Sequence, residues 1–466
     1  MMATKKILVV DDSPFMRTII SDLILEDPAF VVVGTASNGV EAVEQVKQLN
    51  PDAVTMDVEM PIRNGIDALR QIMSECPTPT IMLSGLTEEG RQETLAALEY
   101  GAFDFVCKPS PSGGLQDIHK VGMMLREKLH AAIVSDVRRK QLNSMAEERR
   151  ISEQQRSEKP STPPSIGQDA RLLKTTRSEA SIGNNVSERL DSKRLRPHTS
   201  SELVDKQKKE VQSTSKDDTS ILRKQTSSIS KPLDETVSIR KLPDKKRYAV
   251  DQHRAPSEHQ SSRFNMSKRM SNNTNYSQLV AVGTSTGGPR ALKELLSNLP
   301  GDLPAPVLIV QHMPPNFTHS LAQRLNTYSE LHVKEAEQGD VLQSGWAYLA
   351  PGGQHMTVVA RPDGTHVIEL SVTAPRSGHR PSVDVLFESL LPFDGYERHI
   401  ILLTGMGNDG ARSMNTLYQN GVTSTFAESE QSCIVYGMPR SAIELNCVTH
   451  VVPIQDMARQ LVKAMK

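Results

Sequence analysis

Residues 279–295 read LVAVGTSTGGPRALKEL: an apolar run enters a glycine-rich turn, and a helix-forming segment follows. Within it, Gly283-Thr284-Ser285-Thr286-Gly287 fits the pattern G-x-S-x-G. In that pattern a sharp strand-to-helix turn lifts a serine hydroxyl above the end of a sheet. Ser285 is the candidate nucleophile. The same small residues also suit a plain tight turn, or a phosphate cradle at a helix N-terminus. Glycines at 283, 287 and 288 do not make G-x-G-x-x-G, which argues against a dinucleotide fingerprint.

Working outward, residues 276–466 carry strand-like runs (LVAVG, VLIVQ, AYLAPG, THVIEL, IILLTG, HVVPI) separated by helical patterns such as RALKELLSNL. That alternation predicts a largely parallel α/β sheet. Between them, GWAYLAPGGQHMTVVARPDGTHVIEL has the alternation and turn signals of an inserted β-hairpin pair. A nucleophilic serine needs a histidine base and usually a carboxylate to orient it. The chain has 13 histidines, so position must choose among them. His312 directly follows VLIVQ, at the carboxyl edge where Ser285 also lies, and Asp409 follows IILLTG on that same edge. His399 precedes its strand and is assigned to the opposite edge, while His355 and His366 fall in the hairpin region. The order Ser, His, Asp departs from the Ser, Asp, His of α/β-hydrolases, but geometry rather than order defines a triad.

Upstream, residues 5–125 alternate β-rich runs (KKILVV, FVVVGT, DAVTMD, TIMLS, DFVCK) with helical segments. Five such strands imply a doubly wound parallel sheet with its chemistry beyond the strand carboxyl ends. Those ends carry Asp11 and Asp12, Asp57, Ser84 and Lys108. Three clustered carboxylates repel one another unless a hard cation such as Mg²⁺ sits among them. With the metal and Lys108 neutralising charge and Ser84 donating a hydrogen bond, one carboxylate can attack phosphorus and become an aspartyl phosphate.

From 137 to 275 the composition turns to Ser, Lys, Arg, Gln, Asn and Thr, and basic residues outnumber acidic ones although the whole chain is near neutral at −1. Such a segment cannot bury enough apolar area to offset chain entropy, so a disordered basic linker is expected. Its first portion, QLNSMAEERRISEQQRSE, is also compatible with an extension of the preceding helix. The linker charge serves to keep an unfolded tether solvated, and a contact with nucleic acid or an acidic surface is the competing use. A hydrophobic share of 37% over 466 residues accords with two folded domains and an unfolded portion. The cysteines at 76, 107, 433 and 447 form no C-x-x-C pair, which suits a reducing cytoplasm. No membrane span or signal peptide is expected. No helix-turn-helix or zinc pattern supports a DNA-binding effector; a non-catalytic nucleotide-binding module remains the other alternative for the last domain.

Residues 5–125 resemble a two-component response-regulator receiver domain. That resemblance implies that Asp57 accepts the phosphoryl group, Asp11 and Asp12 help hold Mg²⁺, Ser84 and Lys108 contact the phosphoryl oxygens, and Phe105 is the switch aromatic, though simple core packing also accounts for Phe105. The motifs VAVGTSTGGPRAL, VQHMPPNF, APGGQHM, SVDVLF, LLTGMGNDGA and VYGMPRSA resemble the catalytic domain of bacterial chemotaxis protein-glutamate methylesterases, Rossmann-like and spanning 276–466. The resemblance implies Ser285 as nucleophile, His312 as general base and Asp409 as its orienting carboxylate. Oxyanion amides would come from the glycine-rich turn and the turn around Met406, with Thr286 nearby. It further implies methanol release from glutamate γ-methyl esters, and glutamine deamidation, on the cytoplasmic helical region of methyl-accepting receptors. Control would come through phosphorylation by a chemotaxis histidine kinase. Mg²⁺ would serve only the receiver, no cofactor the esterase step, and neither nucleic acid nor membrane insertion is implied.

Overall fold

Residues 4–85, 87–109, 114–157 and 276–466 are described by the structure, a computed structural model. The N-terminal part alternates β1 (Lys5–Val10), α1 (Pro14–Leu25), β2 (Phe30–Ala36), α2 (Gly39–Leu49), β3 (Ala53–Asp57), α3 (Gly65–Glu75), β4 (Thr80–Ser84), α4 (Glu88–Glu99), β5 (Asp104–Cys107) and α5 (Gly114–Ser157). All five strands pair parallel in the order β2-β1-β3-β4-β5. The run Ile7 to Val10 is wholly buried, as a strand covered by helices on both faces requires. Local chemistry sets the helix starts: Ser13 caps α1 with Pro14 in its first turn, and Asn38 accepts the N–H groups of Val40 and Glu41 to start α2.

The linker does not begin at 137. Helix α5 continues to Ser157 and buries Leu125, Leu129, Ala132 and Ile133 along its first half. Asp136 pairs with Arg139 at 2.6 Å and Lys140 at 2.7 Å, helical spacings that support the segment without an apolar stripe. The rest of the expected linker, 158–275, lies outside the described residues.

The C-terminal part comprises β6 (Gln278–Thr284), α6 (Gly288–Ser297), β7 (Val307–Gln311), α7 (Phe317–Tyr328), β8 (His332–Glu335), β9 (Trp346–Leu349), β10 (His355–Ala360), β11 (His366–Ser371), α8 (Val383–Ser389), β12 (Glu397–Leu402), α9 (Ala411–Gln419), β13 (Ser424–Glu428), α10 (Met438–Glu444), β14 (His450–Val452) and α11 (Ile454–Ala464). Seven strands form one parallel sheet, β14-β13-β12-β6-β7-β9-β8. The chain leaves β6 toward β7 on one side and later returns through β12 on the other, so a crevice opens beyond the end of β6.

The inserted region is a single antiparallel hairpin, β10 with β11, rather than a pair. The AYL run instead sits in the main sheet as β9, because Ala347, Tyr348 and Leu349 are buried between β7 and β8. Two strands escape the sequence patterns, β8 and β13. Every residue of β13 is buried, yet Ser424, Thr425 and Glu428 are polar, so hydrophobicity does not mark it. His399 lies inside β12, not before it, and hydrogen-bonds Ser424 and Gln278 away from the crevice.

Candidate functional site

Ser285 follows the last residue of β6, and His312 follows the last residue of β7. These strands pair with Thr284 opposite Gln311, and the His312 N–H donates to the Thr284 carbonyl at 3.1 Å. The serine and histidine therefore leave the sheet at neighbouring register positions. Ser285 is 9% exposed. At Gly287, which caps α6 with φ +82°, a Cβ would stand 2.7 Å from Ile434, so the sharp turn requires glycine on both counts. The loop after β12 passes so close that a Cβ on Gly405 would lie 2.9 Å from the Ser285 Cβ. Met406, next in that loop, is half-buried.

His312 Nε2 is 2.8 Å from Asp409 Oδ2. Asp409 is almost fully buried, and its carboxylate accepts the Val383 N–H at 2.7 Å, the Asp384 N–H at 3.1 Å and the Ser382 hydroxyl at 2.9 Å. It thus sits on the amides that open α8. Burial pushes Asp409 up, but the bond and charge of His312 and those amides outweigh it and hold the carboxyl at about 2. With Nε2 engaged, the buried Nδ1 of His312 has no hydrogen-bond partner among the described residues. The His379 ring lies flat against His312, centroids 3.7 Å apart and 8° from parallel. Burial, and then the neighbouring imidazole, depress His379 to about 4, so it stays neutral.

Several of these residues carry no local sequence signal. Ser382 and Asp384 fall in the SVDVLF run, but their hold on Asp409 emerges only when α8 is folded over β6. His355, set aside as a hairpin histidine, accepts the Ser382 N–H at 3.2 Å and so buttresses Asp409 from behind. Thr404 connects the crevice walls: its carbonyl accepts the Ser285 N–H, its hydroxyl donates to the Thr286 carbonyl, and its N–H donates to the buried Glu428.

In the N-terminal part, ligand oxygens of Asp11, Asp12 and Asp57 lie within 4.8 Å of one another. Lys108 Nζ is 2.8 Å from Asp11 and 2.7 Å from Asp57. Burial raises Asp57 to about 6; Lys108 pulls it down and Asp11 pushes it up again. One ammonium against three carboxylates leaves a negative pocket of oxygen donors, which fits a hard divalent cation. Ser84 stands at the end of the adjacent strand, but its hydroxyl donates to the Gly85 carbonyl and accepts from Thr94 at 2.7 Å, turned toward α4.

Phe105 does not simply fill the N-terminal core: it stacks on Phe317, centroids 4.6 Å apart, at the start of α7 just beyond the His312 loop. Thr286 Oγ1 donates to Asp104 at 2.5 Å, and Asp104 also pairs with Lys128. Glu99 takes Arg324 at 2.6 and 3.0 Å, with Lys293 at 3.3 Å. From α5, Ser135 donates to the Ile434 carbonyl and Arg138 to that of Cys433. The face bearing the end of α4, β5 and the middle of α5 is thereby packed against the rim of the Ser285 crevice.

The chain matches two family models: a response regulator receiver domain over residues 7–120 and a CheB methylesterase over 280–461. It is 36% identical to a protein-glutamate methylesterase/protein-glutamine glutaminase of Halalkalibacterium halodurans, covering 99% of this chain and 98% of that one. A protein of the same name from Geobacillus kaustophilus is also 36% identical, over 99% of each chain. Among solved structures, the Thermotoga maritima CheB methylesterase catalytic domain is 37% identical, covering 41% of this chain and 99% of that one, with a TM-score of 0.39.

Proposed function

Because the chain belongs to the protein-glutamate methylesterase/protein-glutamine glutaminase family, we propose that it is a phosphorylation-activated serine hydrolase of chemotaxis receptors, with Ser285, His312 and Asp409 as its triad. The observation that carries the triad is the 2.8 Å contact of His312 Nε2 with buried Asp409, which leaves Nδ1 as the basic atom beside the serine elbow. The chymotrypsin arrangement uses the two ring nitrogens the other way round, and the roles are unaffected.

In this reading His312 Nδ1 takes the proton of Ser285 as its Oγ attacks the γ-carbonyl of a methylated glutamate. Asp409 fixes the ring and stabilises the imidazolium that forms. We assign the oxyanion donors to the backbone amides of Thr286 and Met406, since those of Ser285, Gly288 and Gly405 already bond Thr404, Ser285 and Val435. The tetrahedral species collapses, the alkoxide takes the proton from His312, and methanol leaves. Water, deprotonated by His312, then cleaves the acyl-enzyme and frees the glutamate. A glutamine γ-amide presents the same carbonyl and releases ammonia instead.

Control lies in the N-terminal domain. Asp57 is the phosphoacceptor, supplied by a chemotaxis histidine kinase, and Asp11, Asp12 and Asp57 would hold Mg²⁺. The bound cation would neutralise charge on the phosphoryl oxygens. Rotation of Ser84 toward the new phosphoryl group frees space beside Thr94, and movement of Phe105 off Phe317 loosens the cover on the crevice. Methanol release from methylated receptor, compared between the native chain and Ser285→Ala, tests the reading: the variant should lose activity by orders of magnitude.

A further inference from the structure

Gln311 ends β7 and is 2% exposed, yet it belongs to no part of the triad. Its side-chain amide nitrogen donates to the Ser285 carbonyl at 2.9 Å and to the His312 carbonyl at 3.0 Å. Both amide protons are therefore spent on the backbones of the proposed nucleophile and base. The same Ser285 carbonyl also accepts the Gly288 N–H at 2.8 Å, while the Ser285 N–H donates to Thr404. The peptide units on either side of Ser285 are thus held by the loop after β12, by α6 and, through Gln311, by the residue that carries the imidazole.

The amide orientation is determined. Turned over, its oxygen would face two carbonyl oxygens, a pair of repulsive contacts. As it stands, the oxygen lies over Gly288, where a Cβ would come within 1.9 Å, and it has no hydrogen-bond partner among the described residues. A buried acceptor left unpartnered carries a cost, and the two bonds from the nitrogen hold it in place.

We propose that Gln311 is a positioning residue, whose amide ties the Ser285 elbow to the His312 loop and sets the approach of Oγ to Nδ1. This role rests on the triad proposed above. The expected effect falls on the chemical step, because a small displacement between nucleophile and base costs rate without altering the receptor-binding surface.

The test uses the full chain activated by a small-molecule phosphodonor and Mg²⁺, with Gln311→Met and Gln311→Glu. Methionine keeps the length and removes both donors; glutamate opposes oxygen to oxygen and, if it does not fold, the methionine variant decides. Each folded variant should lose about tenfold in kcat for methanol release with KM within about twofold. A serine-reactive phosphonate should label Ser285 about tenfold more slowly yet to full stoichiometry. A normal labelling rate, or a normal rate at reduced stoichiometry, would overturn the role, the latter marking Gln311 as a folding residue. Failure of the native chain to label at Ser285 would overturn the triad itself, and the tie with it.

Discussion

Thr286, the residue after Ser285, donates its hydroxyl proton to Asp104, the residue before Phe105, at 2.5 Å, with both side chains buried. Strand β5 thereby grips the turn that carries Ser285. A buried hydrogen bond to a carboxylate is worth roughly 1.5–3 kcal/mol. Asp104→Ala should therefore raise methanol release by the unphosphorylated chain roughly tenfold and shrink the further gain from phosphodonor. Unchanged basal release would mean that this contact does not hold the cover in place.

The ion pair of Glu99 with Arg324 is a second, separable element of the same cover. Burial raises the Glu99 pKa, but the bonds and charges of Arg324 and Lys293 outweigh it and hold the carboxyl below its usual range. Glu99→Ala, Arg324→Ala and the double variant should each raise basal activity about three- to tenfold, with the double no greater than the larger single. Additive effects in that cycle would show that the two side chains act independently.

His312→Ala should match Ser285→Ala, since a nucleophile without its base fails at the same step, while Asp409→Asn should be similar or milder. All three are measured as kcat for methanol release from phosphodonor-treated enzyme. Retention of near-native kcat by His312→Ala would remove it from the triad.

His399, buried inside β12, gives a pH signature of stability. Burial depresses it to about 4, from an ordinary value of 6.5. Between those values the unfolded chain binds the extra proton and the folded chain does not, so stability is intact above about pH 6.5 and declines as pH falls toward 4. The loss from this residue is on the order of 3 kcal/mol at most. Urea unfolding of His399→Asn should show a flatter decline over that window than the native chain; an identical slope would mean that the histidine is accessible to protons when folded.

Strand periodicity and the small-residue turn after LVAV were enough to predict two parallel α/β domains and to bring Ser285, His312 and Asp409 to one sheet edge, because parallel strands place all their carboxyl ends on the same edge. What escaped are contacts that no local pattern encodes. Glu428 and Thr425 are polar residues buried by the fold, so β13 does not read as a strand. The parallel pairing of β8 and β9 across a loop left AYL looking like half of a hairpin. The α5 extension, left open by the sequence, carries charge pairs rather than an apolar stripe, while Ser382 reaches Asp409, and His355 reaches Ser382, only through tertiary packing.

The most direct test is the rate at which a serine-reactive phosphonate labels Ser285 in the intact chain, with and without a small-molecule phosphodonor and Mg²⁺, beside Asp57→Asn. Labelling should be slow in the untreated chain, rise several-fold on phosphorylation, and stay slow in Asp57→Asn whatever is added. Equal labelling of the native chain with and without phosphodonor, or equal stimulation of Asp57→Asn, would contradict a serine site covered by its receiver and opened through Asp57.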